Sequence, residues 1–536
     1  MLEKIWVSQY DKNVNCELCG TPIPLGNMIL EAAANFGDCE SIKEGKEVIT
    51  YNDLNNLTGL IAGNLKNLGL SKQDRVGVLL PNLKETIIAF WSIVRGGFVG
   101  VMTNPLYTES ELIYQYNDSG IKTLITAEPF LPKIKAILDK TNIQNVFVVS
   151  NNFIENEDKR IKPWKSLLKE TSSYICENIN IENDLALLQY TGGTTGISKG
   201  CMLTHKNLWS NAKQVSQMFE VILEPGRERF IGVLPYFHIY GLQVSVIIPV
   251  MLSACMLPIP QFSPRGLLKL IQEEKATCMP SAPAIFNACT SQKDIDSYDL
   301  STLKFIISGS APLHVAQMIE FESKTGAKIS EGYGLSEASP VTHFTSVLGK
   351  HIPGSIGLPI PGTEVKIVDI ETGTVELKNG EEGELCIRGP QVMKGYFNRP
   401  DQTNEVLRNG WLHTGDIARC DKEGFFYITD RKKDLILTGG YNVYPREVEE
   451  VLLNHSKVKE AVVIGVANKT RGESVKAFIV LKEGEALEKS TELIEFCRKH
   501  MANYKVPKEI EIRNELPKSS VGKVLRRLLR EEKIAA

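Results

Sequence analysis

The stretch RVGVLLPNLKETIIAFWSIVRGGFVGVMTNP, residues 75–105, decides the fold class of this chain. Its first and last parts are short apolar runs typical of buried strands, and its middle part has the length and composition of a buried helix. ELIYQYNDSG, 111–120, followed by IKTLITAEP, 121–129, repeats the pattern. Such alternation of strands and helices indicates parallel sheets covered by helices.

The pattern changes after residue 354. From EVKIVD, 364–369, to GFFYITD, 424–430, short alternating runs indicate an antiparallel or barrel-like sheet. The pentapeptide DRKKD, 430–434, is either a domain junction or an exposed charged linker, and a segment with its own helices and strands follows it. The predicted fold is α/β: a large N-terminal domain, 1–432, with two parallel-type α/β subdomains and an antiparallel β-barrel-like subdomain, then a small α+β C-terminal domain, 433–536.

Composition places the chain among ordinary globular proteins. It has 536 residues, of which 43% are hydrophobic and 23% charged, so several domains are expected. A net charge of −3 argues against sequence-independent binding of nucleic acid, which needs a basic face. The first residues contain no apolar run of signal-peptide length, and a cytoplasmic protein is expected.

The cysteines are an odd number, eleven, scattered along the chain. This usage favours free thiols in a reducing compartment over a disulfide framework. Cys16 and Cys19 form an isolated C-x-x-C without a partner pair, for which packed or surface thiols are favoured over a metal site. The role of this pair stays open.

One stretch, IYGLQVSVIIPVMLSACMLPIP at 239–260, has the length of a membrane span. It is interrupted by polar residues and by prolines that would break a simple spanning helix. These are Gln243, Ser245, Ser253, Pro249, Pro258 and Pro260. A buried helix followed by a buried strand is therefore predicted.

The loop YTGGTTGISKG, residues 190–200, has the composition of a phosphate cradle. Glycines let backbone N–H groups approach a ligand, threonines add hydroxyl donors and Lys199 adds a positive charge. The Walker A spacing fails, because Ser198 stands where that motif has glycine and Gly200 where it has serine or threonine. On composition alone, a flexible turn stays open as the alternative.

Two further stretches suit a nucleotide site. SGSAPL, 308–313, follows an apolar strand, where the carboxyl edge of a sheet commonly meets a ligand. In EGYGLSEASP, 331–340, Tyr333 could stack on a base, Ser336 could donate to a phosphate and Glu337 could hold Mg²⁺, which prefers oxygen ligands. Taken singly, each residue is more often an ordinary loop residue.

Two stretches nearer the end of the chain add a carboxylate and a cation. In GWLHTGDIA, 410–418, Asp416 could accept both hydroxyls of a ribose or could be a turn aspartate. In PKSSVGKVLRRLLRE, 517–531, Lys523 precedes a basic helix, where a solvated surface lysine is the ordinary interpretation.

Together these motifs give the chain a family resemblance. YTGGTTGISKG, YGLSEASP, GWLHTGDIA, ITDRKKDLILTGGYNVYPREVEEVL and PKSSVGKVLRR, in this order, resemble the core motifs of the adenylate-forming superfamily. That superfamily includes acyl-CoA synthetases, 4-coumarate:CoA ligases, firefly luciferase and peptide-synthetase adenylation domains. The resemblance covers roughly residues 25–530. Stretches 96–120 and 439–452 are most similar to bacterial medium- and long-chain fatty-acyl-CoA synthetases.

The resemblance implies an AMP-forming acyl-CoA synthetase. A fatty acid carboxylate would attack the α-phosphate of ATP and release pyrophosphate, and the thiol of coenzyme A would then take the acyl group from acyl-AMP. Mg²⁺ is the implied cofactor. The resemblance also implies that the C-terminal domain is mobile and rotates between the adenylation and the thioesterification step. An aryl or alicyclic acid substrate, transfer to a carrier protein, and a non-catalytic acyl- or nucleotide-binding role stay open. So do acyl chain length, reaction direction, oligomeric state and peripheral membrane contact.

The resemblance also assigns roles to residues of this sequence. For the ATP phosphates it implies Thr191, Gly193, Thr194, Thr195, Gly196 and Lys199. For the adenine it implies Tyr333, with Gly309, Ser310 and Ala311 lining the pocket, and for the ribose Asp416 and Arg431. Glu331, Gly332 and Ser336 are further residues implied to bind ATP or AMP. His238 would meet the acyl carboxylate, Glu337 the Mg²⁺ and Lys523 the α-phosphate, with Lys433 as the hinge and Gly439 and Gly440 against coenzyme A.

Some positions depart from the family pattern. Ser336 stands where many relatives have threonine, which keeps the hydroxyl. Gly439 and Asn442 replace a lysine and a glutamine of the coumarate ligases, and Gln261 replaces a lysine near coenzyme A. These departures disfavour phenolic substrates and favour the fatty-acyl interpretation.

Overall fold

The structure is a computed structural model that describes residues 4–169, 176–191, 198–311, 313, 315–432, 434–438, 441–468, 472–487, 490–518 and 524–531. The chain divides into two compact units. The large unit comprises Trp6–Glu364 and Ile387–Leu412. The small unit comprises Val365–Cys386 and the chain from His413 onward, together with the described N-terminal residues 4–5. The functional boundary at 432/433 stays a prediction.

The opening stretch forms the centre of a seven-stranded sheet in the large unit. Its strands, in spatial order, are Ile161–Pro163, Asn145–Val149, Thr123–Ala127, Arg75–Leu79, Val99–Met102, Leu185–Thr191 and Lys199–Thr204. All neighbours are parallel except the last pair. The two antiparallel strands, Leu185–Thr191 and Lys199–Thr204, are called the phosphate hairpin below.

A nine-stranded sheet forms the rest of the large unit's framework. Its strands, in spatial order, are Leu358–Pro359, Val341–Phe344, Ile329–Gly334, Phe305–Ser308, Cys278–Ser281, Arg229–Gly232, Cys255–Pro258, Glu40–Glu44 and Glu47–Thr50. The central pairs are parallel and the pairs at the two ends are antiparallel. Parallel strands align their carboxyl ends, so the loops that follow them meet at one edge.

Helices connect and cover these strands. They are Leu25–Phe36, Tyr51–Asn67, Lys84–Arg95, Glu109–Ser119, Leu131–Ile137, His205–Phe219, Ile239–Leu242, Ile248–Met251, Pro264–Glu274, Pro283–Thr290, Val315–Thr325 and Pro400–Val406. Three of them begin after Thr50, Thr108 and Thr204, whose hydroxyls accept a backbone N–H three residues later. Such capping satisfies backbone donors that a helix leaves unpaired at its start.

The long apolar stretch folds as predicted. A π-helical segment, Gln243–Ile247, joins Ile239–Leu242 to Ile248–Met251, and strand Cys255–Pro258 follows. Nearly every residue of this run is buried in the main core. Within the described residues, no helix is both long enough and apolar enough to cross a membrane.

A further sheet of five strands contains Glu364–Val368, Gly383–Arg388, Leu407–Arg408, Trp411–Cys420 and Phe426–Arg431. Its longest strand, Trp411–Cys420, pairs antiparallel with Phe426–Arg431. Beyond it the small unit forms a second sheet of Ile436–Thr438, Tyr441–Val443, Val458–Asn468, Gly472–Leu481 and Glu509–Ile512. Its helices are Pro445–Leu453, Thr491–His500 and Arg526–Glu531. The predicted fold class, with parallel sheets, an antiparallel sheet and a small C-terminal α+β part, is confirmed.

Candidate active site

The phosphate hairpin carries the predicted phosphate loop at its tip. Thr191 pairs with Lys199 across the two strands, and the Ser198 hydroxyl donates to Thr191 O at 2.6 Å. The residues between them, including Gly193, Thr194, Thr195 and Gly196, lie outside the described residues. The hairpin therefore holds Thr191 and Lys199 side by side at the base of the loop.

Side chains from distant parts of the large unit fix that base. Tyr114 donates its hydroxyl to Ser198 O at 2.9 Å, and Tyr190 donates to Asp118 at 2.7 Å. Arg399 pairs with the other oxygen of Asp118 at 2.7 Å and reaches the Tyr114 hydroxyl at 3.2 Å. Burial raises the pKa of Tyr190, so its hydroxyl keeps its proton and remains a donor.

The residues predicted for adenine lie at the ends of neighbouring strands. Gly309, Ser310 and Ala311 follow strand Phe305–Ser308, which pairs in parallel with Ile329–Gly334, with Ser308 opposite Glu331. A Cβ on Gly309 would lie 2.8 Å from Cζ of Tyr240, whose hydroxyl donates to Ser281 O at 3.0 Å. Glycine at this position therefore lets the buried Tyr240 ring pack under the turn.

Tyr333 is half-buried near the end of its strand. Its ring meets His343 edge-on, with centroids 5.8 Å apart. Burial lowers the pKa of His343 to about 3, so this imidazole is neutral and adds no charge behind the tyrosine. The next residue must be glycine, because a Cβ on Gly334 would lie 2.0 Å from Pro340 O. A tight bend therefore brings Ser336 and Glu337 back beside the same strand edge.

Glu337 lies in the short 3₁₀ helix Ser336–Ala338 and is held from two directions. Its backbone carbonyl accepts from Met393 N at 2.8 Å, and Oε1 accepts from the Tyr396 hydroxyl at 2.6 Å. Lys199 Nζ lies over the ring of the same Tyr396, 5.1 Å from its centroid. The predicted metal carboxylate and the predicted phosphate cation thus contact the same tyrosine.

A magnesium ion fits this donor set. In the part of the chain that the structure describes, no cluster of three or more His, Cys, Asp or Glu side chains is arranged to hold a metal. Mg²⁺ at phosphate-transfer sites is usually bound by one or two carboxylates together with substrate phosphates and water. A single oriented carboxylate such as Glu337, beside a phosphate loop, meets that requirement.

His238 caps the start of a helix, and hydrogen bonds hold the loop that precedes it. Its Nδ1 accepts the Tyr240 N–H at 3.2 Å, which leaves Nε2 as the protonated nitrogen of the neutral ring. Asn82 holds the loop with three bonds of 2.7–2.9 Å, to the carbonyls of Gly232 and Leu234 and from Tyr236 N. The orientation of the His238 ring is thus fixed in part by the backbone of its own helix.

The residues predicted for the ribose meet in the small unit. Asp416 and Arg431 lie opposite each other on paired strands, and Arg431 Nε lies 3.0 Å from Asp416 Oδ1. Lys433, Gly439, Gly440 and Lys523 lie outside the described residues. For these four positions the roles remain predictions.

Just after Lys523, helix Arg526–Glu531 carries a cluster of ion pairs, here called the arginine cluster. It comprises Arg526, Arg530, Asp434 and Glu449. Arg526 Nη2 contacts both oxygens of Glu449 at 2.6 and 2.8 Å, and Arg530 contacts Asp434 at 3.1 Å. The cluster connects this helix to the segment next to the predicted hinge.

Comparison with known families places the chain. A family model described as AMP-binding enzyme matches residues 29–397, and one described as AMP-binding enzyme C-terminal domain matches residues 447–523. This chain belongs to the AMP-binding enzyme family. The resemblance inferred from the motifs is thereby confirmed, and the match covers both the phosphate hairpin and the segment that holds Glu337.

Full-length relatives of this AMP-binding enzyme agree with that placement. A long-chain-fatty-acid–CoA ligase of Bacillus subtilis (strain 168) is 42% identical, covering 99% of this chain and 98% of that protein. One of Escherichia coli O157:H7 is 39% identical with the same coverage. The crystal structure of ATP-bound MatB from Rhodopseudomonas palustris superposes with a TM-score of 0.85 at 29% identity, covering 95% of this chain and 98% of that chain.

Sequence reasoning missed several residues that shape the site of this AMP-binding enzyme. They are Asn82, Tyr114, Asp118, Tyr240, Tyr396 and Arg399. Most come from segments far from the motifs they support. Tyr114 and Asp118 stand in the stretch 96–120 that carries the family resemblance, and Tyr240 stands two residues after His238, and these positions were the available signals.

Proposed function

We propose that this AMP-binding enzyme is an AMP-forming fatty acid–CoA ligase that activates a long-chain fatty acid. The observation that carries the proposal is that Lys199 of the phosphate hairpin and Glu337 both contact Tyr396, the first over its ring and the second at its hydroxyl. Its support is the family match and the long-chain-fatty-acid–CoA ligases that align over nearly the whole chain. The predicted acid–thiol ligase class follows from the same relatives, and the acyl chain length is the finer part of the proposal.

The first half-reaction brings two anions together, so charge neutralisation is its main requirement. In this proposal Lys199 and the hydroxyl of Thr191 meet the β- and γ-phosphates of ATP at the hairpin. Glu337 would hold the Mg²⁺, and the ion would supply additional positive charge near the phosphates when bound. Fixed groups of this kind stabilise developing negative charge because they need no reorganisation during the reaction.

His238 is proposed to position the fatty acid carboxylate. Its Nε2–H would donate to a carboxylate oxygen, since Nδ1 already accepts from the backbone. The buried helical run that begins at Ile239 is proposed as a wall of the acyl pocket. Its π-helical segment, Gln243–Ile247, is of a kind frequent at functional sites.

The second half-reaction is assigned to residues of the C-terminal region by family resemblance. Lys523 would contact the α-phosphate during adenylation, and a rotation about Lys433 would then remove it. Gly439 and Gly440 would approach the pantetheine arm of coenzyme A, because glycine backbone leaves room for a narrow passage. A domain movement of this kind commonly gates turnover. A cytoplasmic location is proposed with it.

The test uses the full chain with ATP, Mg²⁺, coenzyme A and a panel of acids. Pyrophosphate release and acyl-CoA formation are expected with saturated acids of long chain, and much less with cinnamate-type or alicyclic acids. A preference for aromatic acids would overturn the fatty-acyl assignment. Pyrophosphate release that leaves acyl-AMP bound in the presence of coenzyme A would overturn the thioesterification step.

The assignment of Lys523 has its own experiment. Lys523→Ala is expected to slow acyl-AMP formation by about 10²–10³ and to spare conversion of supplied acyl-AMP with coenzyme A. Lys518→Ala, a change in the same segment at a lysine paired with Glu460, is the matched control and should leave both half-reactions near wild-type rates. Equal loss of both half-reactions in Lys523→Ala would contradict the two-step assignment.

A further inference from the structure

Tyr396 contacts a carboxylate through its hydroxyl and a cation through the face of its ring. The hydroxyl donates to Glu337 Oε1 at 2.6 Å, and Lys199 Nζ lies 5.1 Å from the centroid of the ring. A tyrosine hydroxyl is protonated and neutral near pH 7. One neutral side chain therefore contacts two groups of opposite charge.

The backbone around Tyr396 is part of the phosphate hairpin's hydrogen-bond ladder. The backbone bonds are Phe397 N to Gly200 O at 2.8 Å, and Met202 N to Gly395 O and Lys394 N to Met202 O at 2.9 Å. The Tyr396 amide itself donates to the Thr403 hydroxyl at 2.9 Å. The backbone of Tyr396 is therefore fixed to the strand that carries Lys199, and its side chain is held at the hydroxyl by Glu337.

A direct ion pair between Lys199 and Glu337 would compete with the ligands. Two opposite charges in a partly buried site attract strongly, and a pair already formed has to be broken before either partner can bind something else. Within the described residues, neither Lys199 nor Glu337 makes an ion pair, and each contacts Tyr396 instead, Glu337 at the hydroxyl and Lys199 over the ring. Lys199 therefore remains available for phosphate oxygens, and Glu337 for a divalent cation.

We propose that Tyr396 is a positioning residue that keeps Lys199 and Glu337 apart and orients the Glu337 carboxylate. This inference rests on the proposed function, in which Lys199 meets ATP and Glu337 holds Mg²⁺. The hydroxyl and the ring have separate tasks. The hydroxyl orients the Glu337 carboxylate by donating to it. The ring contacts Lys199 and prevents it from pairing with Glu337.

Removing the ring is the sharper test. In Tyr396→Leu, Lys199 and Glu337 are expected to pair, so binding of Mg²⁺-free ATP, measured by calorimetry with EDTA present, should weaken about tenfold. Adding Glu337→Gln should restore most of that binding, because the competing carboxylate is then neutral. If the double variant binds Mg²⁺-free ATP as weakly as Tyr396→Leu, the spacer role is wrong.

Removing only the hydroxyl tests the orienting role and guards against a folding failure in the first variant. Tyr396→Phe keeps the ring beneath Lys199, so binding of Mg²⁺-free ATP should be unchanged. The Mg²⁺ concentration for half-maximal ATP–pyrophosphate exchange should rise about tenfold, with a smaller change in kcat at saturating Mg²⁺. Tyr427→Phe, which removes a tyrosine–aspartate bond in the small unit, is the matched control. An unchanged Mg²⁺ requirement in Tyr396→Phe would overturn the orienting role.

Two single variants separate this inference from the proposed function. Lys199→Met should weaken binding of Mg²⁺-free ATP, and Glu337→Gln should raise the Mg²⁺ requirement, whatever Tyr396 does. If these two variants behave as expected and the Tyr396 variants match wild type, only the positioning role is wrong. If neither single variant changes either measurement, the assigned phosphate and metal roles fail, and the inference with them.

Discussion

The surroundings of Tyr396 and the arginine cluster both contain opposite charges, but they arrange them in different ways. At Tyr396, Lys199 and Glu337 each contact the tyrosine and do not pair with each other. In the arginine cluster, Arg526 spans Glu449 and Asp434, so the charges compensate one another. Isolated charges are poorly solvated in a partly buried site, whereas matched charges stabilise a fixed arrangement.

Unpaired charges are thus expected at a site that binds a ligand, and paired charges in a cluster that holds two segments of the chain together. A group that must meet ATP or Mg²⁺ keeps its charge uncompensated until the ligand arrives, and a neutral residue holds it in place. A group that connects two segments is satisfied by its neighbours in the folded chain. The following experiments test the contrast, from the largest expected effect to the smallest.

Neutralising the Glu337 carboxylate should have the largest effect. Glu337→Gln is expected to lower ATP–pyrophosphate exchange by about 10²–10³, because Mg²⁺ would lose the carboxylate proposed to hold it. The glutamine oxygen can still accept from Tyr396, so thermal stability should hold. Glu182→Gln, an exposed partner of Lys206 in the same unit, is the control and should exchange at the wild-type rate. Exchange within threefold of wild type in Glu337→Gln would remove the basis for calling this a ligand site.

Asp430 lies near the arginine cluster but is not charge-compensated in the same way, and the stability of the protein should therefore depend on pH. Burial raises the pKa of Asp430 to about 6, despite N–H donors from Arg431 and Arg446. The native carboxyl holds its proton more tightly than the unfolded chain. This stabilisation is therefore present below about pH 4 and is lost as pH rises through about 6, by about 3 kcal/mol.

Urea titrations of wild type and Asp430→Asn between pH 4 and 7 measure that contribution. The free energy of unfolding of the wild type should fall relative to the variant across this range, and the difference should level off above pH 7. If the free energies of unfolding of wild type and variant change in parallel with pH, Asp430 is charge-compensated as the arginine cluster is. That outcome would contradict the expected difference between Asp430 and the cluster.

Breaking the arginine cluster should destabilise the small unit. Arg526→Met leaves Glu449 without its closest cation, which should cost about 2 kcal/mol, below the range for fully buried pairs because 24% of the Arg526 side chain is exposed. Amide exchange in helix Pro445–Leu453 should accelerate about 30-fold by hydrogen–deuterium exchange. Arg498→Met, at an exposed position of the same unit, should leave exchange unchanged. Equal protection in both variants would show that the ion pairs do not hold this helix.

The smallest effect is expected at the adenine turn. Gly309→Ala places a Cβ against the Tyr240 ring and should raise the KM for ATP several-fold, about 1 kcal/mol, by displacing the turn. Adding Tyr240→Leu should recover part of the loss because the obstructing ring is gone. A normal KM in Gly309→Ala would show that the turn yields without affecting the nucleotide. Initial rates across ATP concentrations measure both variants.

Much of the fold could be predicted from the sequence, because its signals are local. Runs such as 75–105 carry the strand and helix periodicities in consecutive residues, and the structure places strands at Arg75–Leu79 and Val99–Met102 around helix Lys84–Arg95. The interrupted apolar run at 239–260 was likewise readable as a buried helix and strand, because its prolines and polar residues exclude a simple span.

The residues of the candidate site could be predicted from the sequence only in part. Gly309, Tyr333 and Glu337 lie in recognisable motifs, because a nucleotide site needs small and polar residues at strand ends. Asn82 and Tyr396 could not be found in this way, because each acts on residues more than 50 positions away and has no distinctive sequence around it.

The sequence by itself determined the order of the elements, the family motifs and the types of charged groups available for phosphate and metal. Only the tertiary structure decided which of those charges are paired and which are kept apart. The physical reason is that periodicity and turn chemistry depend on neighbours along the chain, whereas ion pairing depends on distances across the fold. Lys199 and Glu337 are 138 positions apart in the sequence, and both contact Tyr396 because the folded chain brings the three residues together.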